Sequence, residues 1–364
     1  MRVVKLGDVA RESRLKWTKS KQDVPIVGLE HLIPDEIRFD AYDINTDNTF
    51  SKRFVKGQVL FGRRRAYQRK AAIAEFDGIC SGDITVIEAI EGKMVSELLP
   101  FIIQTPVFFD YANRGSAGSL SPRVKWEHLL DYEFELPSLE EQKVLADKLW
   151  AAYRLKEAYK KLLVATDEMV KSQFIEMFGN PVTNTKGWKT AKIKDVAPEM
   201  PSKEQLSGKI WLLNLDMIES NTGRIIEKVY EDVENALSVQ SFDEGNVLFS
   251  KLRPYLNKVV IPDEPGMATT ELVPLRPEPS KLHKVFLSHL LRGNQFVNYA
   301  NDIAGGTKMP RMPLTELRNF DCILPPMDKQ LEFVFIAEQA DKSKFELKQC
   351  IENIDKVIKS LING

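Results

Sequence analysis

The chain has 364 residues, 43% hydrophobic and 28% charged, with 51 Lys and Arg against 52 Asp and Glu. That is ordinary globular composition over a length suited to two or three domains, and it excludes collagenous and disordered classes. The longest apolar runs, such as Leu98-Leu-Pro-Phe-Ile-Ile103, fall far short of the roughly 18 residues that span a membrane. A net charge of −1 requires any basic surface to be local. Cys80, Cys322 and Cys350 lie far apart without metal-type spacing, which suits a reducing cytoplasm. Charges interrupt the apolar residues of Met1-Arg-Val-Val-Lys-Leu-Gly-Asp8, so no signal peptide is expected.

In chain order, residues 1–137 read as a mixed region. Short apolar strands, Gly57-Gln-Val-Leu-Phe61 and Asp83-Ile-Thr-Val-Ile87, lie among Gly and Pro turns. Residues 138–178 contain neither Gly nor Pro. Ser138 followed by Glu140, Glu141 and Gln142 predicts a capped helix start, and Gly179-Asn-Pro181 a stop. A second mixed region covers 179–325, and a second uninterrupted helix covers 326–364, running from about Met327 to Ile362. The first helix places Ala152, Leu155, Tyr159, Leu162, Thr166 and Met169 at three- and four-residue steps. The second does so with Ala340, Lys344, Leu347, Ile351, Ile354, Ile358 and Leu361. These heptad seams predict two long antiparallel coiled-coil helices. About forty residues at ~1.5 Å each give rods of roughly 60 Å, too long for a domain of ~135 residues to cover.

The chain repeats itself. Phe54-Val-Lys-Gly-Gln-Val-Leu-Phe-Gly-Arg-Arg-Arg-Ala-Tyr67 matches Phe242-Asp-Glu-Gly-Asn-Val-Leu-Phe-Ser-Lys-Leu-Arg-Pro-Tyr255, 188 positions on. Tyr111-Ala-Asn113 matches Tyr299-Ala-Asn301, and Pro122-Arg123 matches Pro310-Arg311. Leu136-Pro137 matches Leu324-Pro325, and Gln142 matches Gln330, all in the same register. Leu6-Gly-Asp-Val-Ala10 resembles Ile193-Lys-Asp-Val-Ala197, 187 positions on. One register held over some eighty residues predicts a tandem duplication. The fold class expected is α+β: two duplicated mixed α/β recognition domains separated by the two helices.

Between Ser51 and Ala74 stand eight basic residues and no acid: Lys52, Arg53, Lys56, Arg63, Arg64, Arg65, Arg69 and Lys70, with Tyr67 among them. Arginine suits bidentate contacts to guanine edges and phosphate, and lysine supplies point charges. The second copy carries Lys251, Arg253, Tyr255 and Lys258, with no acid from Gly245 to Pro262. A second basic loop recurs as Arg114, Ser116, Ser119, Arg123 and Lys125, then as Thr307, Lys308 and Arg311. Gly118 and Gly306 would let backbone N–H groups approach a phosphate. A solvated face explains any one of these arginines. Two loops repeated in both copies point to double-stranded DNA.

Catalytic signatures are missing. Gly92-Lys93 precedes Met94 and Gly208-Lys209 precedes Ile210, so neither is a phosphate-binding loop. Leu324-Pro-Pro-Met327 is not the tetrapeptide of amino-methyltransferases. His31, His128, His283 and His289 show no ligand spacing, and the last two lie in an apolar helical stretch that suits structural histidines. Pro262-Asp-Glu264 lacks the Glu-x-Lys that a nuclease motif requires. No catalytic residue, metal or cofactor of this chain's own is expected.

Together these residues resemble the specificity subunits of type I restriction–modification systems over essentially the whole length. The resemblance rests on Gly57-Gln-Val-Leu-Phe61 with its duplicate Gly245-Asn-Val-Leu-Phe249, on Glu135-Leu-Pro-Ser-Leu-Glu-Glu-Gln142 leading into a long helix, and on Ile175-Glu-Met-Phe-Gly-Asn-Pro181. The second copy departs from it, with Met327-Asp-Lys-Gln330 and a poorer basic loop. The resemblance implies a non-catalytic cytoplasmic subunit reading bipartite DNA, one half per domain, with the helices setting the gap. It implies two methyltransferase subunits that bring S-adenosylmethionine and methylate adenine N6. A translocating restriction subunit with ATP and Mg2+ can join. A scaffold without DNA specificity, or a self-sufficient methyltransferase or nuclease, remains open to the sequence.

Overall fold

The paired Val-Leu-Phe segments form strands at Val59–Gly62 and Val247–Ser250, each with all four residues buried. Side chains alternate across a strand. Val59 and Phe61 therefore enter one hydrophobic cluster and Leu60 another. Val247 and Phe249 separate from Leu248 in the same way. A strand apolar on both faces must be covered on both, and this fixes each copy as layered.

The computed structural model describes residues 2–203, 206–232, 239–306 and 308–363. It divides into two units, Met1–Tyr159 with Gln349–Gly364, and Lys160–Lys348. In the first unit, Val59–Gly62 pairs antiparallel with Ala71–Ile73 and Ile84–Ala89, and Ala10–Glu12 joins at the edge. A three-stranded sheet sets Gly78–Cys80 between Ile26–Val27 and Lys52–Phe54. In the second unit, Val247–Ser250 pairs antiparallel with Val259–Val260 and Leu272–Leu275. Gly266–Thr269 lies between Lys209–Leu213 and Val239–Phe242, with Val229–Asp232 added beyond. The strands correspond copy to copy, so the duplication in sequence is a duplication in fold.

One glycine pair shows how closely. A Cβ on Gly78 would lie 2.6 Å from Pro25 O and 2.7 Å from Phe54 Cζ. On Gly266 it would lie 2.6 Å from Phe242 Cζ and 2.7 Å from Trp211 O. Both glycines admit a phenylalanine ring and a backbone carbonyl where no side chain fits.

The long helices span Leu139–Phe178 and Met327–Asn363. The first starts in a capping box: Glu141 N–H donates to Ser138 Oγ at 3.4 Å, and Ser138 N–H donates to Glu141 Oε2 at 2.9 Å. The Ser138 N–H and hydroxyl, both donating to Glu141 Oε2, hold the Glu141 carboxyl below its ordinary value. Gly179, at φ +74°, ends the helix and donates to Ile175 O at 2.8 Å. Ala146, Leu149, Trp150 and Tyr153 join the larger core of the first unit, where Ile358, Leu361 and Ile362 pack on it. Val170, Phe174 and Phe178 join that of the second, beside Phe333 and Phe286.

The seam expected in the second helix coincides with its least exposed residues, from Ala340 to Leu361. In the first helix the expected seam is met in part. Ala152, Tyr159 and Thr166 are partly buried, but Leu155, Leu162 and Met169 are exposed, while Tyr153, Lys156, Lys160, Leu163, Asp167 and Val170, one residue later, are buried or partly so. Charged residues fill several inward positions there, so apolar periodicity pointed to the neighbouring face.

Candidate nucleic-acid interface

Each Val-Leu-Phe strand runs out into the first basic loop, and main-chain bonds tie that loop to the second. Arg63 N–H donates to Asp83 O at 2.9 Å, Val124 N–H to Arg63 O at 3.0 Å, and Arg65 N–H to Pro122 O at 2.8 Å. In the second unit Lys251 N–H donates to Glu271 O at 3.0 Å, Met312 N–H to Lys251 O at 2.9 Å, and Arg253 N–H to Pro310 O at 2.7 Å. The two loops picked out in each copy are therefore one surface, built on the same ladder.

The next residues form a short 3₁₀ turn, Ala66–Gln68 or Pro254–Leu256, framed by left-handed residues. Arg65 has φ 53° and Arg69 φ 55°; Arg253 has φ 49° and Asn257 φ 48°. Four non-glycine residues in this region are costly, of order 1 kcal/mol or more each. The turn holds Tyr67 and Tyr255 exposed at its centre. Among the described residues the side chains of Arg63, Arg65, Lys251 and Arg253 make no hydrogen bond or ion pair, and Nε of Arg63, Arg65 and Arg253 is enclosed without a partner.

Other basic residues turn inward. Lys70 Nζ donates to Leu29 O at 2.7 Å, and Lys258 Nζ to Leu215 O at 2.6 Å, closing the turn from beneath. Arg69 pairs with Asp35 at 2.5 Å and lies over the Phe109 ring at 5.6 Å. Lys52 and Arg53 meet Glu12 and Asp77. The run of eight bases is thus not one patch, because strand alternation and nearby acids neutralise part of it.

In the second loop Gly118 and Gly306 have φ +115° and +99°, backbone that favours glycine. Ser119 and Lys308 are exposed, and Thr307 lies outside the described residues. Arg123 Nε donates to Asp83 Oδ1 at 2.7 Å and Nη2 to Oδ2 at 3.4 Å. Arg311 Nε lies 3.2 and 3.3 Å from the Glu271 oxygens, and Nη2 3.0 Å from Oε1. Arg64 joins the first pair through Asp83 Oδ2 at 3.3 Å and Ser121 Oγ at 3.0 Å. Burial raises the Asp83 carboxyl, but the bonds from Arg123 and Arg64 outweigh it and leave it below its ordinary value. Asp83 and Glu271 were not singled out from the sequence. Their signal was an acid at the same register position in both copies.

The histidines hold structure together. His128 stacks on Tyr111 at 4.4 Å, and His283 Nδ1 accepts from Val285 N–H at the start of a helix. The fold brings His31 near Glu30 and Asp43, a grouping the spacing did not reveal. His31 Nδ1 accepts from Gly28 N–H at 2.9 Å, as Met217 Sδ accepts from Asn214 N–H in the second unit. This is a turn cap in both copies.

Two copies of one strand-and-turn unit, each presenting joined basic loops, define a duplicated recognition protein. The type I restriction modification DNA specificity domain matches residues 1–163 and 185–356, and the chain belongs to that family. The Escherichia coli type I restriction enzyme EcoDI specificity subunit is 23% identical over 288 residues, covering 67% of this chain and 64% of that protein. The match thus spans less than two thirds of that relative. A solved structure concerned with complex assembly and conformational transition of the type I R-M system aligns over 100% of this chain and 96% of its own, with TM-score 0.57 and 15% identity. The type I restriction-modification S subunit of M. genitalium aligns over 99% and 94%, with TM-score 0.58 and 10% identity. Both show the same fold. Among the described residues no helix is long and apolar enough to cross a membrane.

Proposed function

We propose that this chain is the non-catalytic specificity subunit of a type I restriction–modification complex, reading a bipartite duplex DNA target with one half-site per recognition domain. The observation that carries it is the recurrence, in both units, of a strained turn presenting Arg65 and Tyr67 or Arg253 and Tyr255 beside a second basic loop. Strain kept twice at a half-buried arginine, Arg65 or Arg253, beside an exposed tyrosine marks a functional surface. Arg63, Arg65, Arg123, Lys251, Arg253 and Arg311, with Tyr67, Tyr255, Ser119 and Thr307, contact base edges. Arg64, Lys308 and their neighbours set affinity and salt dependence. Arg69, Lys70 and Lys258 shape the turn that carries the readers.

The recognition domains are 1–137 and 179–325, and the helices 138–178 and 326–364 are a coiled-coil spacer that sets the gap between half-sites. Two methyltransferase subunits dock on this frame and supply S-adenosylmethionine. Restriction subunits, where present, supply ATP- and Mg2+-dependent cleavage. The complex works in the cytoplasm.

A map of N6-methyladenine in host DNA, with this gene intact, deleted or carrying Arg65→Ala or Arg253→Ala, tests the reading. Deletion should erase one bipartite motif, and each substitution should weaken or retarget one half only. A map unchanged by deletion, with methyltransferase partners expressed, would leave a scaffold.

A further inference from the structure

We propose that Asp83 and Glu271 are positioning residues that aim Arg123 and Arg311 at a guanine, one in each half-site; this rests on the DNA-reading function above. The pair recurs 188 positions apart although its surroundings change. Arg64, which shares Asp83, is replaced by Leu252, and the acid lengthens from Asp to Glu. The geometry stays the same. In each unit the carboxylate occupies the Nε and Nη2 edge of the guanidinium.

That contact leaves the outer fork, Nη1 with the second Nη2 hydrogen, without a partner among the described residues. A planar fork held from behind fits two acceptors side by side, as guanine O6 and N7 present them in the major groove. The acid also selects against the alternative ligand. Asp83 and Glu271 side chains are 21% and 23% exposed, beneath arginines that are 45% and 47% exposed. A carboxylate so close repels a phosphate, a full anion, far more than the neutral acceptors of a base edge. Exposed ion pairs contribute little stability, while fixing a long side chain costs entropy, so orientation is the use that remains.

The test uses the complete chain with its methyltransferase partners in cells, mapping N6-methyladenine for Asp83→Asn, Asp83→Glu and Arg123→Gln. Asp83→Asn and Arg123→Gln should relax the same single guanine position in one half-site, by roughly 10-fold in discrimination. Asp83→Glu, the residue used by the second copy, should keep the motif. Glu271→Gln should relax one position of the other half-site. The inference is overturned if Arg123→Gln relaxes a position that Asp83→Asn leaves intact. It is equally overturned if both lower methylation of the motif and of its one-base variants uniformly, the mark of a phosphate contact. A lower melting temperature with an unchanged motif would make the pair a structural staple and also overturn it. If the wild-type chain directs no bipartite motif at all, the broader reading fails first, which separates the two failures.

Discussion

Lys156 Nζ lies 2.6 Å from Asp355 Oδ1, joining the two long helices within one unit across 199 positions of sequence. Lys344 and Asp167 form the equivalent contact in the other unit at 2.8 Å. Both lysines are only 16% exposed. Removing one partner strands a shielded charge, whereas removing both does not. Asp355→Ala should cost about 1–3 kcal/mol in urea unfolding. Lys156→Met combined with Asp355→Leu should return close to wild type.

Gln142 and Gln330 are buried at the start of the two helices, each holding the same pair of backbone positions. Gln142 Oε1 accepts from Val95 N–H at 2.9 Å, and its Nε2 donates to Pro137 O at 3.0 Å. Gln330 Oε1 accepts from His283 N–H, and Nε2 donates to Lys281 O and Pro325 O, all at 2.9 Å. Leucine fills the space but leaves these groups unpaired, at about 1–3 kcal/mol for each buried group. Gln330→Leu, which orphans three, should lower thermal stability more than Gln142→Leu. Faster exchange of the His283 amide in Gln330→Leu would locate the damage.

Arg65 occupies left-handed backbone that glycine adopts without cost. Arg65→Gly should therefore stabilise the fold, or leave it neutral, by relieving strain of about 1 kcal/mol. It should also weaken or retarget the reading of one half-site. Arg65→Ala keeps the strain and loses the guanidinium, so it should be less stable than Arg65→Gly and equally impaired at that half-site. Calorimetry on the two variants decides this.

His289 packs edge to face on Phe333 at 5.1 Å, and burial, aided by Arg292 and Lys344, pushes its pKa down to about 3. The unfolded chain binds a proton near the ordinary value of 6.5. Between these values the unfolded state holds more protons, so stability falls as pH drops from 6.5 toward 3. Phe101 occupies the equivalent position in the first copy. His289→Phe should flatten this part of the stability–pH curve, measured by thermal unfolding in steps across that window. An unchanged slope would assign it to other groups.

Much of the fold was legible because its signals are local. Helix ends follow from Ser138, Glu141 and Gly179, whose capping involves only near neighbours. Strands follow from short continuous apolar runs between Gly and Pro turns, and the duplication from one register held along the chain. The basic loops were legible as composition. The displaced seam of the first helix was not. Lys156 and Asp167 face inward because they find each other's counterparts on a distant helix, and apolar periodicity carries no sign of that.

The sequence by itself determined the two copies, the long helices and the loops that carry basic residues. Only the tertiary structure decided which of those residues remain available. Lys70 and Lys258 reach backbone carbonyls, Arg69 reaches Asp35, and Arg123 and Arg311 rest on Asp83 and Glu271. Each partner is 34 to 43 positions away. Strand register brings it into reach, and register is set by burial of both sheet faces, not by the loop residues themselves.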